Sequence, residues 1–558
     1  MGSTPANPET VPWGRRVAAK QQACREAIPN AWRLDQSLLD TLRKPLDKSK
    51  NNMIQLNIIE RSGILSERDL EITERYNVAE LLQCLSSGQI TALEATVAFS
   101  KRAALAQQLT NCLTETYFPA AQKRARELDA LREQGKLAGP LHGLPISIKD
   151  SFQIQGSQAT IGMVAYLDQI SSSNSSLVDI LIKLGAVLYC KTNVPQTLMT
   201  ADSDNNVFGR TLNPWNTALG AGGSSGGEGA LVAMRGAPIG VGTDVGGSVR
   251  IPALCCGTYG FRPTAGRIPY GGQRGCANPG FRPILPCAGP LTNDVDSLAT
   301  FMKAVLSANP RQHDSTVIDV PWREVESLSG RKLRLGLLAE DPRFPLHPPV
   351  RAAINEAVHL LEAQGHEIIK LGPSECRIDQ AGQVSWSLFS LDDTASRHVQ
   401  AAGEPSIPSR VRLQQAVYEM GMEYVAEIHG LDSLQKFAAL NVKRADITDG
   451  WNKLWLRHRL DAVVGPGAQN SAVEHDEFGV PAYTYPACVI PFGTVSGVDA
   501  DFEVELGQTA PPYNAEMLAG APLSIQVFTS AMRDEECLDI AKIIDQCLQQ
   551  GNHHKKQF

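Results

Sequence analysis

The 558-residue chain contains no HExxH element, no CxxC pair and no run of 18 apolar residues. The first two absences remove the common zinc patterns, and the 11 histidines form no ligand cluster apart from the terminal pair, so no metal is expected. The third excludes a membrane-spanning helix. Positive charge is also short: 52 Lys and Arg stand against 59 Asp and Glu, a formal net charge of −7. A nucleic-acid partner would call for a basic face or stripe, and the one basic cluster, HHKK near the C-terminus, reads as a frayed tail. The opening MGSTPANPETVPWGRR has no apolar core and is not a secretory peptide. Ala6 stands where a myristoylation motif needs Ser or Thr, and the final KQF is not the peroxisomal SKL. These readings point to a cytoplasmic protein. The 12 scattered cysteines, Cys255 and Cys256 among them, read as small apolar packers in a reducing compartment.

What the sequence does contain is an ordinary globular balance, 43% hydrophobic and 20% charged. Residues 1–75 read as an N-terminal helical arm. Asn77–Glu80 and Thr91–Glu94 are capping boxes, the first opening a short helix that stops at Gly88 and the second a long helix over Ala92–Gln108. Another helix is expected from about Pro119 to Gln134. The stretch LHGLPISIKDSF is β-branched and bounded by Gly-Pro, which predicts a buried strand ending at Lys149. From there helices near Leu177–Leu184 and Gly229–Arg235 alternate with the strands AVLYCKT and PIGVGTD. LRLGLLAE, a helix with Ile354, Val358 and Leu361 on one face, and HEIIKL continue the pattern. Such alternation predicts an α/β fold, a three-layer α/β/α arrangement around a large parallel or mixed sheet. Residues 376–460 read as mostly helical, and residues 549–558 as a disordered tail.

Between Gly220 and Pro252 two serines stand behind paired glycines, Ser224 in GGSSGG and Ser248 in GGSVR. Tight turns and helix starts account for one such site without any chemistry; the repeat weakens that account. No Lys-Ser/Thr follows the glycines, so a phosphate-binding P-loop does not fit. Gly222–Gly226 matches GxSxG, but a nucleophile elbow needs an acid and then a histidine downstream, and His475–Asp476 has the reverse order. A third reading takes lysine as the base. An ordinary lysine, with a pKa of about 10.4, is rarely neutral at pH 7, a handicap of roughly 4 kcal/mol that burial reduces. Lys149 ends an apolar strand and fits that role, although Lys149–Asp150 alone would read as a surface ion pair. An SxxK helix is excluded, because Gly227, Glu228 and Ile251 lie three beyond Ser224, Ser225 and Ser248.

Four motifs in order resemble the amidase signature family: PISIKD at 145–150, KTNVPQ at 191–196, GAGGSSGGEGAL at 220–231 and GTDVGGSVRIPA at 242–253. The closing GAPLSIQVFTSAMRDEECL also resembles the family's closing segment, and NAWRL and SGILSERDLEITE are most similar to its fungal acetamidase-type branch. The resemblance implies one amidase signature domain over 76–548. It also implies a hydrolase splitting a small aliphatic or aryl-acetic amide into carboxylate and ammonia, without cofactor and with a homodimer allowed. An ammonia-supplying amidotransferase subunit and an inactive binding paralogue are the alternatives. Carried over by position, Ser248 is the nucleophile, Ser224 a bridging serine on a cis peptide, and Lys149 the base. Backbone N–H groups of Val245, Gly246, Gly247 and Ser248 are implied to hold the oxyanion. Leu198, Met199 and Thr200 are implied to border the acyl pocket, with core packing an equal reading for Leu198. Asp244 and Arg250 read as a structural pair that ties the loop down, and Ser225 as a turn residue. One departure stands out: Tyr485 runs straight into Pro486, where acetamidase-like sequences carry a few more residues.

Overall fold

The computed structural model describes residues 13–478, 486–497 and 502–555. Its strands are β1 Leu113–Thr116, β2 Pro145–Lys149, β3 Val187–Thr192, β4 Leu212–Asn213, β5 Asn216–Gly220, β6 Ile239–Asp244, β7 Tyr259–Arg262, β8 Cys287–Thr292, β9 Arg334–Leu337, β10 Glu367–Lys370, β11 Ala462–Pro466, β12 Ala487–Thr494 and β13 Pro522–Phe528. Eleven of them form one sheet in the order β1-β3-β2-β6-β8-β7-β12-β13-β11-β9-β10, while β4 and β5 pair separately. The sheet is mixed: β2 runs parallel to β3 and β6, and β9 parallel to β10 and β11. The other pairings are antiparallel. The expected three-layer α/β/α arrangement is present, with helices packed over the sheet.

The local reasons for these elements are those read from the sequence. Asn77 and Glu80, and likewise Thr91 and Glu94, each close a reciprocal capping box, and the first helix ends on Gly88 at φ 80°. The second, α1 (Ala92–Thr110), is rich in buried alanines that let it lie close to its neighbours. PISIK is buried at all five positions because helices cover both faces of the sheet there, so it lacks the alternation of a half-exposed strand. Two further helices carry the Gly-Ser turns: α2 (Gly226–Ala233) follows Ser224, and α3 (Arg250–Cys256) follows Ser248.

Residues before 76 are part of the packing. Met53, Ile58, Ile59, Leu65 and Ile72 lie in the same apolar cluster as Ile146 and Ile148 of β2. The N–H of Met53 donates to the carbonyl of Pro214, and that of Thr217 to the carbonyl of Asn51. Residues 376–460 are helical as expected, and α4 (Ser433–His458) brings Trp451 and Trp455 against Phe528 of β13. The last helix, α5 (Asp534–Lys555), continues through position 549, where the sequence suggests a tail. Among the described residues no helix is long and apolar enough to cross a membrane. Tyr485 lies outside the described residues.

Candidate active site

β2 and β6 run side by side and deliver Lys149 and Thr243 to the same end of the sheet. Lys149 is fully buried. Its Nζ lies 2.7 Å from Ser224 Oγ and donates to Thr243 Oγ1 at 2.9 Å and Thr243 O at 3.3 Å. None of the described carboxylates forms an ion pair with it. Burial pulls the ammonium down to about 7, while the charges of Asp244 and Glu228 pull in the opposite direction. The neighbouring Asp150 is not its partner: that carboxylate pairs with the equally buried Lys191 at 3.3 Å and accepts from Thr114, Thr160 and the N–H of Ile161. The surface ion pair read at Lys149–Asp150 is therefore replaced by two buried lysines. One is ion-paired and the other is held by neutral oxygens.

Ser224 follows a cis peptide after Gly223. A Cβ on Gly223 would come within 2.3 Å of the Thr200 carbonyl oxygen, so only glycine lets the turn sit this close to the 200–201 backbone. Ser225 stands at the N-cap of α2 without capping it; its hydroxyl accepts from the N–H of Thr243 and lies within reach of the Thr243 carbonyl. The N–H of Ser225 donates to the carbonyl of Ser248 at 3.1 Å, which ties the two serine turns together. Ser224, Thr243, Val245, Ser248, Leu198 and Met199 are among the residues lining one cavity of about 490 Å3. Thr197 and Leu198 both have positive φ, 69° and 64°, which places two non-glycine residues in the left-handed region on the cavity wall.

Asp244 and Arg250 form the structural pair expected. Arg250 donates Nε to Oδ2 at 3.0 Å and Nη2 to Oδ1 at 3.1 Å, and its Nη1 donates to Gln526. Burial pushes the Asp244 carboxyl up, but Arg250, Arg262 and the N–H of Gly247 more than offset this and hold it at about 2. Two implied positions differ from expectation. The N–H of Gly247 is committed to Asp244 Oδ1 at 2.7 Å, so it is an anchor of the loop and not an open oxyanion donor. Among the described residues no acceptor takes the N–H of Gly246 or Ser248. Gly247 has φ 131°, and both glycines line a smaller cavity of about 70 Å3 with Arg250 and Ile251. Thr200 lies behind Gly223, its hydroxyl donating to the carbonyl of Asp202, and is not among the residues lining the larger cavity.

The elbow reading fails on contacts. The Nε2 of His475 donates to the carbonyl of Thr217, its Nδ1 faces Asp202 at 3.6 Å, and Asp476 pairs with Arg210. Three further side chains at the site were not singled out as site residues from the sequence: Thr243, Gln526 and Glu228. The last is buried on α2 and accepts from Ser147 Oγ at 2.6 Å and Thr192 Oγ1 at 2.8 Å. Only strand register and the packing of α2 on the sheet bring these groups together, and neither is written in the local sequence. Among the described residues no group of His, Cys, Asp and Glu side chains is arranged to hold a metal ion.

Comparison with known proteins gives the family. The Amidase family model matches residues 94–538. An amidase of Gibberella moniliformis is 35% identical over 547 residues, covering 96% of this chain and 98% of its own length. An acetamidase of Emericella nidulans is 35% identical over 569 residues with the same coverage. Among solved structures, a fatty acid amide hydrolase superposes with a TM-score of 0.86 at 30% identity, covering 97% of this chain and 96% of its own. A lysine bonded to a serine at one end of a mixed sheet, with a second serine facing the same cavity, is thus found in a chain that belongs to the amidase signature family and is a hydrolase acting on amides.

Proposed function

We propose that Ser248, Ser224 and Lys149 carry the hydrolysis, and that the substrate is a small aliphatic or aryl-acetic amide. Neutral Lys149 accepts the proton of Ser224 while Ser224 takes that of Ser248, and Ser248 Oγ attacks the amide carbon. The developing oxyanion is met by the N–H groups of Val245, Gly246 and Ser248. As the intermediate collapses the C–N bond breaks, and the leaving nitrogen receives a proton from Ser224, which Lys149 replenishes. Water then attacks the acyl-enzyme with the same relay, releasing the carboxylate and restoring Ser248. The observation that supports this reading is the 2.7 Å contact between a fully buried Lys149, its pKa lowered to about 7, and Ser224. A cavity of about 490 Å3 with Tyr270, Phe281 and Phe389 among its lining residues exceeds the needs of acetamide and suits an aryl-acetic group.

Labelling by a fluorophosphonate, with the modified peptide located by mass spectrometry, tests the assignment. The adduct is expected on Ser248 and is expected to be lost in Lys149→Ala. The base is the neutral amine, so the labelling rate should fall as pH drops through about 7. An adduct on Ser224, or undiminished labelling of Lys149→Ala, would overturn the relay.

A further inference from the structure

Glu228 takes no part in the relay described above, yet it is buried against the strand that carries its base. Ser147 and Lys149 are two apart on β2 and project to the same face. Ser147 donates to Glu228 Oε2, and Thr192, the register partner of Lys149 on β3, donates to Oε1. Gly240 of β6 makes room for the carboxyl, since a Cβ there would lie 2.3 Å from Oε2. The slot is therefore built from three strands and one helix, and both carboxyl oxygens are bonded to neutral hydroxyls.

The other ionisable groups around this slot are neutral or already paired. On β6, Asp244 pairs with Arg250 and Arg262. Beside β2, Asp150 pairs with Lys191 of β3. Burial raises Tyr189 and Cys190 of β3, Cys112 beyond α1, and Tyr270 beside Thr243, so all four are neutral near pH 7. A buried carboxylate or ammonium without a counter-charge is disfavoured. Lys149 and Glu228 together avoid net charge in two ways: free amine with carboxylic acid, or ammonium with carboxylate. Both hold the same single proton. Burial raises the Glu228 carboxyl to about 8, close to Lys149, so neither form excludes the other.

We propose that Glu228 is a positioning residue for the base, sharing one proton with Lys149 and so setting the pH at which the free amine becomes available. In the ammonium–carboxylate form Lys149 is inactive, and that form persists until the second proton leaves the pair. The two groups titrate as a unit.

This rests on the reading of Lys149 as the base, and the test separates the two. The rate of fluorophosphonate labelling of Ser248 is followed across the acid limb for the wild type and Glu228→Gln; the flanking hydroxyls can turn to bond the amide. The wild type should rise through two overlapping ionisations. Glu228→Gln should rise through one, with its midpoint lower by on the order of one pH unit. Superimposable profiles, whatever the melting temperatures, would overturn the proposal. If Glu228→Gln does not fold, Thr192→Val serves, since losing one donor to the carboxylate should shift the limb the same way by less. Labelling that is lost in Lys149→Ala alongside an unmoved Glu228→Gln profile removes only the role of Glu228. Labelling that survives in Lys149→Ala removes the base itself.

Discussion

At Gly223 the constraint is steric and can be stated atom by atom. A Cβ there would lie 2.3 Å from the Thr200 carbonyl oxygen, 2.9 Å from the Ala201 carbonyl carbon and 3.0 Å from the Ala201 Cα. All three are backbone atoms, so no side chain can swing aside to make room. Gly223→Ala should therefore move either the Ser224 turn or the 200–201 segment, at a cost of about 1–3 kcal/mol in stability. It should also lengthen the 2.7 Å contact between Lys149 and Ser224, and fluorophosphonate labelling should fall further than the melting temperature implies. An unchanged labelling rate would show that the turn tolerates the shift. Residues of this kind were legible in the sequence, because paired glycines before a serine announce close backbone approach. Thr243 and Gln526 were not, since each matters through hydrogen bonds to residues on other elements. Gly247 was read as an open donor because sequence names the backbone N–H without saying which acceptor claims it.

Elements in this chain were legible wherever their signal is local. Capping boxes at Asn77 and Thr91, the β-branched run of β2 and the apolar face of Pro348–Ala363 each lie within a few residues. Sheet order is a different quantity, set by contacts between segments far apart in the chain. The pairing of β12 with β7, and of β11 with both β13 and β9, has no local signature. Long-range anchors are hidden for the same reason. Arg267, fully buried, reaches Asp534 at 3.2 Å and Glu535 at 2.9 Å in the first turn of α5, and Arg323 joins Glu535 from the surface. Two acids at the start of a helix also suit the positive end of its dipole. Removing the cation leaves buried carboxylates without their inner partner, so Arg267→Ala should cost about 3–5 kcal/mol by denaturant unfolding. A loss within 1 kcal/mol would mean that Arg323 and the helix end suffice.

Across the whole molecule the strand that carries Lys149 depends on chain that contributes no residue to the proposed relay. Leu34, Leu42, Met53, Ile58, Ile59, Leu65 and Ile72 are buried in the cluster that also holds Ile146 and Ile148, the neighbours of Lys149 on β2. Polar contacts bind the same region to α1: Asp69 accepts from Lys101 at 2.7 Å, and Arg102 donates to Glu74 and to the hydroxyl of Thr73. Each buried apolar side chain is worth about 1.5–3 kcal/mol relative to exposure. Seven of them together are comparable with the entire net stability of an ordinary domain. An arm that merely hung from the surface could be cut away with little effect. Deleting residues 1–75 should instead expose the α1 face and yield aggregated protein, even though Lys149, Ser224 and Ser248 are all retained. Supplying residues 1–75 as a separate chain during refolding should recover soluble, fluorophosphonate-reactive protein if packing is what they provide. A deletion variant that is soluble and labels Ser248 at the full-length rate would show that the sheet holds its active geometry without them.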